Sequence, residues 1–388
     1  MRYRWNQKDI FNATNKIQKL LEKEKDPEKI AFYAKVIDAV NNYMFETYAP
    51  ISYRPSSLQE RVIDATDSHL AYSRFVTYIG RFLDELNPLY DDICDLDEIE
   101  GNLKYEKPEL FDFKRYTHEE TLSLVRGFYA DFDKELYDIF MKIYDERYKS
   151  VKFVKHYTNP DDPTFQETSG YCFYLGGINK AYISVDEQKG ITKVSDAVHE
   201  FGHAIRYSIL PSSAYSAENC FVSEVEAIFP ELVFLYEQGK KIDSFQSSLA
   251  MFDPLATYYE KASCIRMQQL IVNAWYDNNY KLDKNVYQRL REVAQMDRND
   301  VYAALNTPIK ANGPYIISFG IVLELFNLYK RDKDKAMYLY KKIIKYPSLG
   351  DEFLRLLSIE NELPLFEHLR EEAIQINADV ASEFNMRM

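Results

Sequence analysis

Five residues, His199-Glu200-Phe201-Gly202-His203, constrain this chain more than any other stretch. Two histidines four positions apart share one face of an α-helix and are carried apart in most other conformations, so the pattern has chemical meaning only if the segment is helical. In a chain with six His among 388 residues, such an HExxH pattern is expected by chance about 0.01 times. On a helix both imidazoles reach one cation. Glu200, beside the first of them, can touch a metal-bound water without binding the metal. The other histidines, His69, His118, His156 and His368, have no partner at ligand spacing and are read as surface or satisfied core residues.

Zinc is the cation that this donor set suits, and it lowers the pKa of a bound water towards about 7. A glutamate in the Glu200 position accepts a proton from that water and later passes one to a leaving amine. Catalytic zinc takes three protein ligands and keeps one position open. No third His follows shortly downstream, so the remaining ligand is sought among Glu218, Glu224, Glu226 and Glu231 on the next acidic helix, Glu218 to Glu237. Glu224, 21 residues after His203, leaves room for a helix end, a loop and an antiparallel return. Glu224 and Glu231 are seven apart and share a face, so one can bind while the other supports it. Glu226 is turned about 200° from Glu224 and faces away. Asp196, one turn before His199, reads either as an acceptor orienting that histidine or as a solvated acid in the first turn of the helix.

Most of the remaining chain reads as amphipathic helix. Apolar residues recur at helical spacing from Gln7 to Leu21, Pro27 opens a second helix, and longer segments run from Leu58 to Leu86 and from His118 to Tyr148. The acidic stretch Asn87–Arg115, with Pro88 and Pro108, reads as a connecting region with short helical turns and as a hinge. Val151 to Tyr157 alternates like a strand, and Asn159–Pro163 is a loop. Tyr171–Leu175 and Ala181–Val185 flank Gly176-Gly177, which predicts a β-hairpin just before the HExxH helix. The expected division is an N-terminal helical region over 1–150 and a second helical domain, holding the hairpin and the motif, over 151–388.

A net charge of −13 repels phosphate backbones, which argues against nucleic acid as the main partner. The longest apolar run, Ile316 to Leu325, is broken by Glu324 and falls short of the ~20 residues that cross a bilayer. The N-terminus shows no apolar signal core, and Cys94, Cys172, Cys220 and Cys264 form no CxxC pair. The expectation is a cytoplasmic protein with reduced thiols and no membrane partner. Cys172 reads as a small strand residue, with reactivity as the lesser alternative.

Taken together, Gly170-Tyr171-Cys172 before a hairpin, then Val198–Ala204, then Phe221-Val222-Ser223-Glu224-Val225-Glu226-Ala227 with Glu231, resemble the thimet oligopeptidase and oligoendopeptidase F family of zinc peptidases. The resemblance is clear from about Thr168 to Leu235. It implies a mainly α fold, in which an HExxH helix and a Glu-bearing helix build the zinc site beside a small β-hairpin edge. It implies one zinc per chain held by His199, His203 and Glu224, with Glu200 as general base and then acid. It also implies cleavage of short peptides in a channel between two helical lobes. Tyr182–Val185 is the candidate edge for pairing with an extended peptide. The family carries a late His and Tyr that donate hydrogen bonds to the developing oxyanion, each worth about 3 kcal/mol. In the corresponding segment Gly313–Gly320 there is no His, the later Tyr position holds Phe319, and Tyr315 is the candidate donor. The 198 residues before the motif are fewer than is usual in the family. The function expected is therefore a metalloendopeptidase acting on short peptides. The alternatives are a weakly active or inactive member that binds peptides or regulates, and a zinc protease acting on whole proteins.

Overall fold

The computed structural model of the chain describes residues 57–154, 170–175, 180–186, 188–210, 224–346 and 366–387, together with Lys16, Ile17, Leu20, Lys29 and Val36. Apart from those five residues, all helical, the helices expected over Gln7–Leu21 and from Pro27 lie outside the described residues. So do the Asn159–Pro163 loop and the Gly176-Gly177 turn. The described residues are mainly α. Their helices are α1 (Leu58–Ala71), α2 (Ser73–Leu86), α3 (Tyr90–Glu106), α4 (His118–Phe132), α5 (Lys134–Tyr144), α6 (Ile191–Ile209), α7 (Val225–Phe234), α8 (Ser244–Asp277), α9 (Lys284–Ala294), α10 (Arg298–Leu305), α11 (Ile309–Arg331), α12 (Lys333–Lys345) and α13 (Leu369–Arg387). Between α5 and α6 run three strands, β1 (Val151–Val154), β2 (Gly170–Leu175) and β3 (Lys180–Asp186). No helix among the described residues is long and apolar enough to cross a membrane.

Local chemistry sets the helix boundaries. Ser57 accepts the Glu60 amide while the Glu60 carboxylate accepts the Ser57 amide, a reciprocal cap that starts α1; Thr117 and Glu120 repeat it at α4. The long amphipathic segments expected over Leu58–Leu86 and His118–Tyr148 are each interrupted. The first breaks at Tyr72, between α1 and α2. The second breaks at Asp133, which is extended and turns its carboxylate to the Leu136 amide at 3.1 Å, so an aspartate that could have been a mid-helix surface residue is the N-cap of α5.

The stretch read as a connecting region, Asn87–Arg115, holds the 17-residue helix α3. Leu89, Ile93, Leu96 and Leu103 form its buried stripe. Asp91 and Asp92 occupy the first turn, where acids favour a helix, and the Pro108 that follows ends it. The acidic composition hid the stripe because the acids occupy the opposite face. One exception, Glu100, is buried and paired with Lys104 a turn later.

The sheet has the order β1-β3-β2. β2 and β3 form the expected antiparallel hairpin, with Gly170 opposite Val185 and Leu175 opposite Lys180. β1 pairs parallel to β3, Val151 opposite Ile183. Tyr182–Val185, expected as the edge, is therefore the central strand, because β1 takes up its second row of backbone groups. The edges among the described residues are β1 and β2.

The chain divides into two compact units. The first takes its described residues from Met1–Ser52, Asp112–Tyr215 and Pro230–Gln246. It holds α4, α5, the sheet and α6 around an aromatic core: Phe140 lies 4.9 Å from Phe201, Phe128 meets Phe234 edge-on at 5.6 Å, and the Tyr129 hydroxyl donates to the Val198 carbonyl at 2.9 Å. The second unit takes Tyr53–Phe111, Ser216–Phe229 and Ser247–Met388. One of its core clusters joins Val62, Ile271, Trp275, Leu290, Val301 and Leu305. The division falls inside α7, which continues unbroken through it.

Candidate metal centre

Helix α6 carries the HExxH residues, and its start is built without a capping side chain of its own. The Gly190 amide donates to the Lys114 carbonyl at 2.7 Å, and the Gln246 side-chain oxygen accepts the Ile191 amide at 2.5 Å. The same carboxamide donates to the Lys189 carbonyl at 3.3 Å. Gly190 has φ +80°, and a Cβ there would stand 2.0 Å from the Gln246 carboxamide oxygen. Both the backbone and the space therefore require glycine. Along α6, Val194, Ala197, Val198, Phe201 and Ala204 are fully buried, whereas His199 and His203 are half-buried. The apolar stripe thus holds the helix while the two imidazoles stand at its margin.

The histidine rings lie 5.0 Å apart and nearly perpendicular. The His199 Nδ1 is 2.8 Å from Glu231 Oε2. A carboxylate only accepts, so the proton belongs on Nδ1 and the Nε2 lone pair is left for a ligand bond. His203 stacks on Tyr207 one turn further on, with an interplanar angle of 22°. Glu200 is buried, with 4% exposed.

The sequence left open whether Asp196 orients His199. The structure places Glu231 on that histidine, while Asp196 accepts from the Gln188 carboxamide at 3.0 Å. Burial pushes the Asp196 carboxyl well above the usual carboxylate range; Glu231, Glu200 and Asp186 add to the rise, and His199 opposes it.

Glu224 begins α7. Its carbonyl accepts the Ala227 and Ile228 amides, and its own amide donates to the Ser318 hydroxyl at 3.3 Å. Ser318 belongs to the late segment Gly313–Gly320, and nothing in its sequence marked it as a support for Glu224. Glu224 and Glu231 ride on this one helix, seven residues apart. Pro230 lies between them and cannot donate to the Glu226 carbonyl one turn back. The Tyr340 hydroxyl supplies the missing donor at 2.7 Å. Glu226 itself is fully buried.

The ligand atoms of His199, His203 and Glu224 all lie within 4.8 Å of one another, which makes them a group able to hold a metal ion. Ligands each about 2.1 Å from a tetrahedral zinc stand about 3.4 Å apart. The difference, at most about 1.4 Å, is within reach of small side-chain rotations. Two neutral imidazoles and one carboxylate are also the chemistry of open zinc sites. The donor set therefore fits zinc.

Tyr315 lies on α11, 39% exposed, with its ring stacked on Tyr258 at 6.2 Å. Phe319, one turn on, is fully buried edge-on against the same Tyr258. Cys172 on β2 is partly exposed, Cys94 is exposed and Cys264 is buried; Cys220 lies outside the described residues. Of the other histidines, His118 stacks on Phe153 at 4.4 Å and His368 pairs with Glu324 at 3.1 Å.

No protein-family model and no curated protein sequence matches the chain. Solved structures match it in fold. A protein from Chlamydophila abortus provisionally assigned as a peptidase superposes with a TM-score of 0.55 at 13% identity, over 98% of this chain and 62% of that one. A protein provisionally assigned as oligoendopeptidase F gives 0.53 at 11%, over 98% and 75%. PZ peptidase A, solved with an inhibitor, gives 0.51 at 12%, over 95% and 71%. The chain thus has the helical fold of this group of proteins, and spans about three fifths of the length of the first. That is the architecture which the likeness to thimet oligopeptidase and oligoendopeptidase F implies.

Proposed function

We propose that the protein is a zinc-dependent peptidase that hydrolyses short peptides. The observation that carries this reading is the grouping of His199, His203 and Glu224 ligand atoms within 4.8 Å, with Glu200 buried on the same helix. The fold it shares with oligoendopeptidase F and PZ peptidase A supports the reading.

His199, His203 and Glu224 would hold the zinc, which when bound would supply Lewis acidity to a water and to the scissile carbonyl. The chain's own groups do the rest. Glu231 fixes the His199 ring so that Nε2 points outward, and Ser318 holds the backbone at Glu224. Glu200 takes a proton from the attacking water and returns it to the leaving amine. Tyr315 is the proposed hydrogen-bond donor to the oxyanion. An extended peptide adds to β2, an edge strand of the sheet among the described residues.

The decisive variant is Glu200→Gln. It removes the base and keeps the size, so zinc content stays at one per chain while cleavage of a quenched-fluorescent peptide falls about 10²–10⁴-fold. Unchanged cleavage would remove Glu200 from its role. The second reading, a zinc-containing protein that binds peptides without cleaving them, is favoured by Phe319, which cannot donate a hydrogen bond. Zinc retained with no turnover on a broad peptide mixture would select it.

A further inference from the structure

The motif Gly170-Tyr171-Cys172 opens β2, and nothing so far explains its glycine. Gly170 does not have the positive φ that demands glycine; among the described glycines only Gly190 does. The explanation is space. A Cβ at position 170 would stand 2.8 Å from Glu200 Oε1, 2.9 Å from Glu200 Cγ and 3.0 Å from the Ser184 carbonyl oxygen. Atoms in contact prefer about 3.5–4.0 Å, so a methyl group is excluded on the Glu200 side and tightly confined on the Ser184 side.

The two sides differ in compliance. Ser184 belongs to β3, the central strand, pinned by β1 on one side and β2 on the other. Its carbonyl cannot retreat without disturbing both ladders. Glu200 is a side chain with three rotatable bonds. A methyl group at residue 170 therefore displaces the Glu200 carboxylate and leaves the sheet in place.

We infer that Gly170 is a positioning residue for Glu200: the missing side chain at the start of β2 is what fixes where that carboxylate stands. The inference rests on the reading of Glu200 as the proton-transfer group. It adds that the hairpin sets the geometry of the base as well as offering an edge. A displacement of about 1 Å in a catalytic group costs about 10²-fold in rate.

Two double-mutant cycles test this, all variants at full zinc loading. In the kinetic cycle, Gly170→Ala lowers kcat by about 10²-fold with KM held within about 2-fold and zinc content unchanged. In a Glu200→Asp background, whose shorter side chain withdraws from the methyl, the same substitution costs only a few-fold. In the stability cycle, Gly170→Ala lowers Tm more in the wild-type background than in Glu200→Ala, where the carboxylate is gone and only the Ser184 contact is left. A Gly170→Ala enzyme with wild-type kcat overturns the inference. So does an equal loss in the Glu200→Asp background, which would place the damage in β3. If the wild type cleaves no peptide while the Tm cycle shows the coupling, the contact stands and the peptidase reading fails.

Discussion

Helices α6 and α11 each bury a glutamate, and each is associated with a glycine that makes room for a side chain. On α11, Glu324 is 1% exposed, and its oxygens accept the His368 amide at 2.6 Å, the Leu369 amide at 3.1 Å and the His368 ring nitrogen at 3.1 Å. One turn earlier, Gly320 lies so close to the Phe366 ring that a Cβ would be 2.2 Å from its Cε1. Phe366 has φ +66°, rare for an aromatic residue. This glycine and glutamate clamp the entry to α13, and the carboxylate serves as a remote N-cap. On α6, Glu200 has Gly170 against it and lies on the helix that carries His199 and His203. Burial of a carboxylate therefore does not by itself mark a functional site. The surroundings decide: backbone amides hold Glu324 in a structural role, whereas Glu200 shares its helix with His199 and His203, the basis of the role proposed for it.

Exchanging the two carboxylates for amides tests that contrast first. Glu200→Gln lowers peptide cleavage about 10²–10⁴-fold and leaves Tm nearly unchanged. Glu324→Gln keeps kcat per folded molecule and loses about 1.5–3 kcal/mol of stability, the cost of hydrogen bonds to a charged group. Urea unfolding and a peptide assay on both variants check this, and a Glu324→Gln enzyme that is stable but inactive breaks the contrast. Glu231→Gln comes next. Loss of the carboxylate that orients His199 weakens zinc binding about 10–100-fold, measured by competition with a chelator. Gly320→Ala follows. The added methyl meets a ring on a strained backbone, so Tm falls with a cost of about 1–3 kcal/mol while turnover per folded molecule is kept.

The smallest effect concerns pH. Burial holds the His69 imidazole below its ordinary pKa, with a hydrogen bond to Gln268 opposing the shift. As pH falls below about 6.5 the unfolded chain takes up this proton first, so the contribution to stability is complete above that pH and is lost through the window beneath it. His69→Gln flattens the unfolding free energy as pH falls below about 6.5, and an unchanged slope there would exclude His69 as its source.

The sequence made the hairpin and the HExxH helix legible because each rests on local signals, a double glycine between alternating strands and a fixed spacing. It concealed features that depend on distant partners. The neutral face of α3 was masked by its acids. Tyr182–Val185 was read as an edge because the parallel partner Val151–Val154 is far off in sequence. Gln246, Ser318 and Gly170 support α6, Glu224 and Glu200 through contacts 55, 94 and 30 residues away, and no short motif encodes such distances. Glu231 was visible as one of a pair with Glu224, but only the 2.8 Å bond to His199 distinguishes its role from that of Asp196.

The central claim is that three residues on α6 and at the start of α7 hold one zinc. Zinc-edge X-ray absorption on the purified protein, beside His203→Ala and Glu224→Ala, tests it directly. The account predicts about one zinc per chain with two imidazole nitrogens at about 2.0–2.1 Å and one carboxylate oxygen, and loss of tight binding in both variants. Zinc bound with full affinity in either variant, or a shell with sulfur, would contradict it.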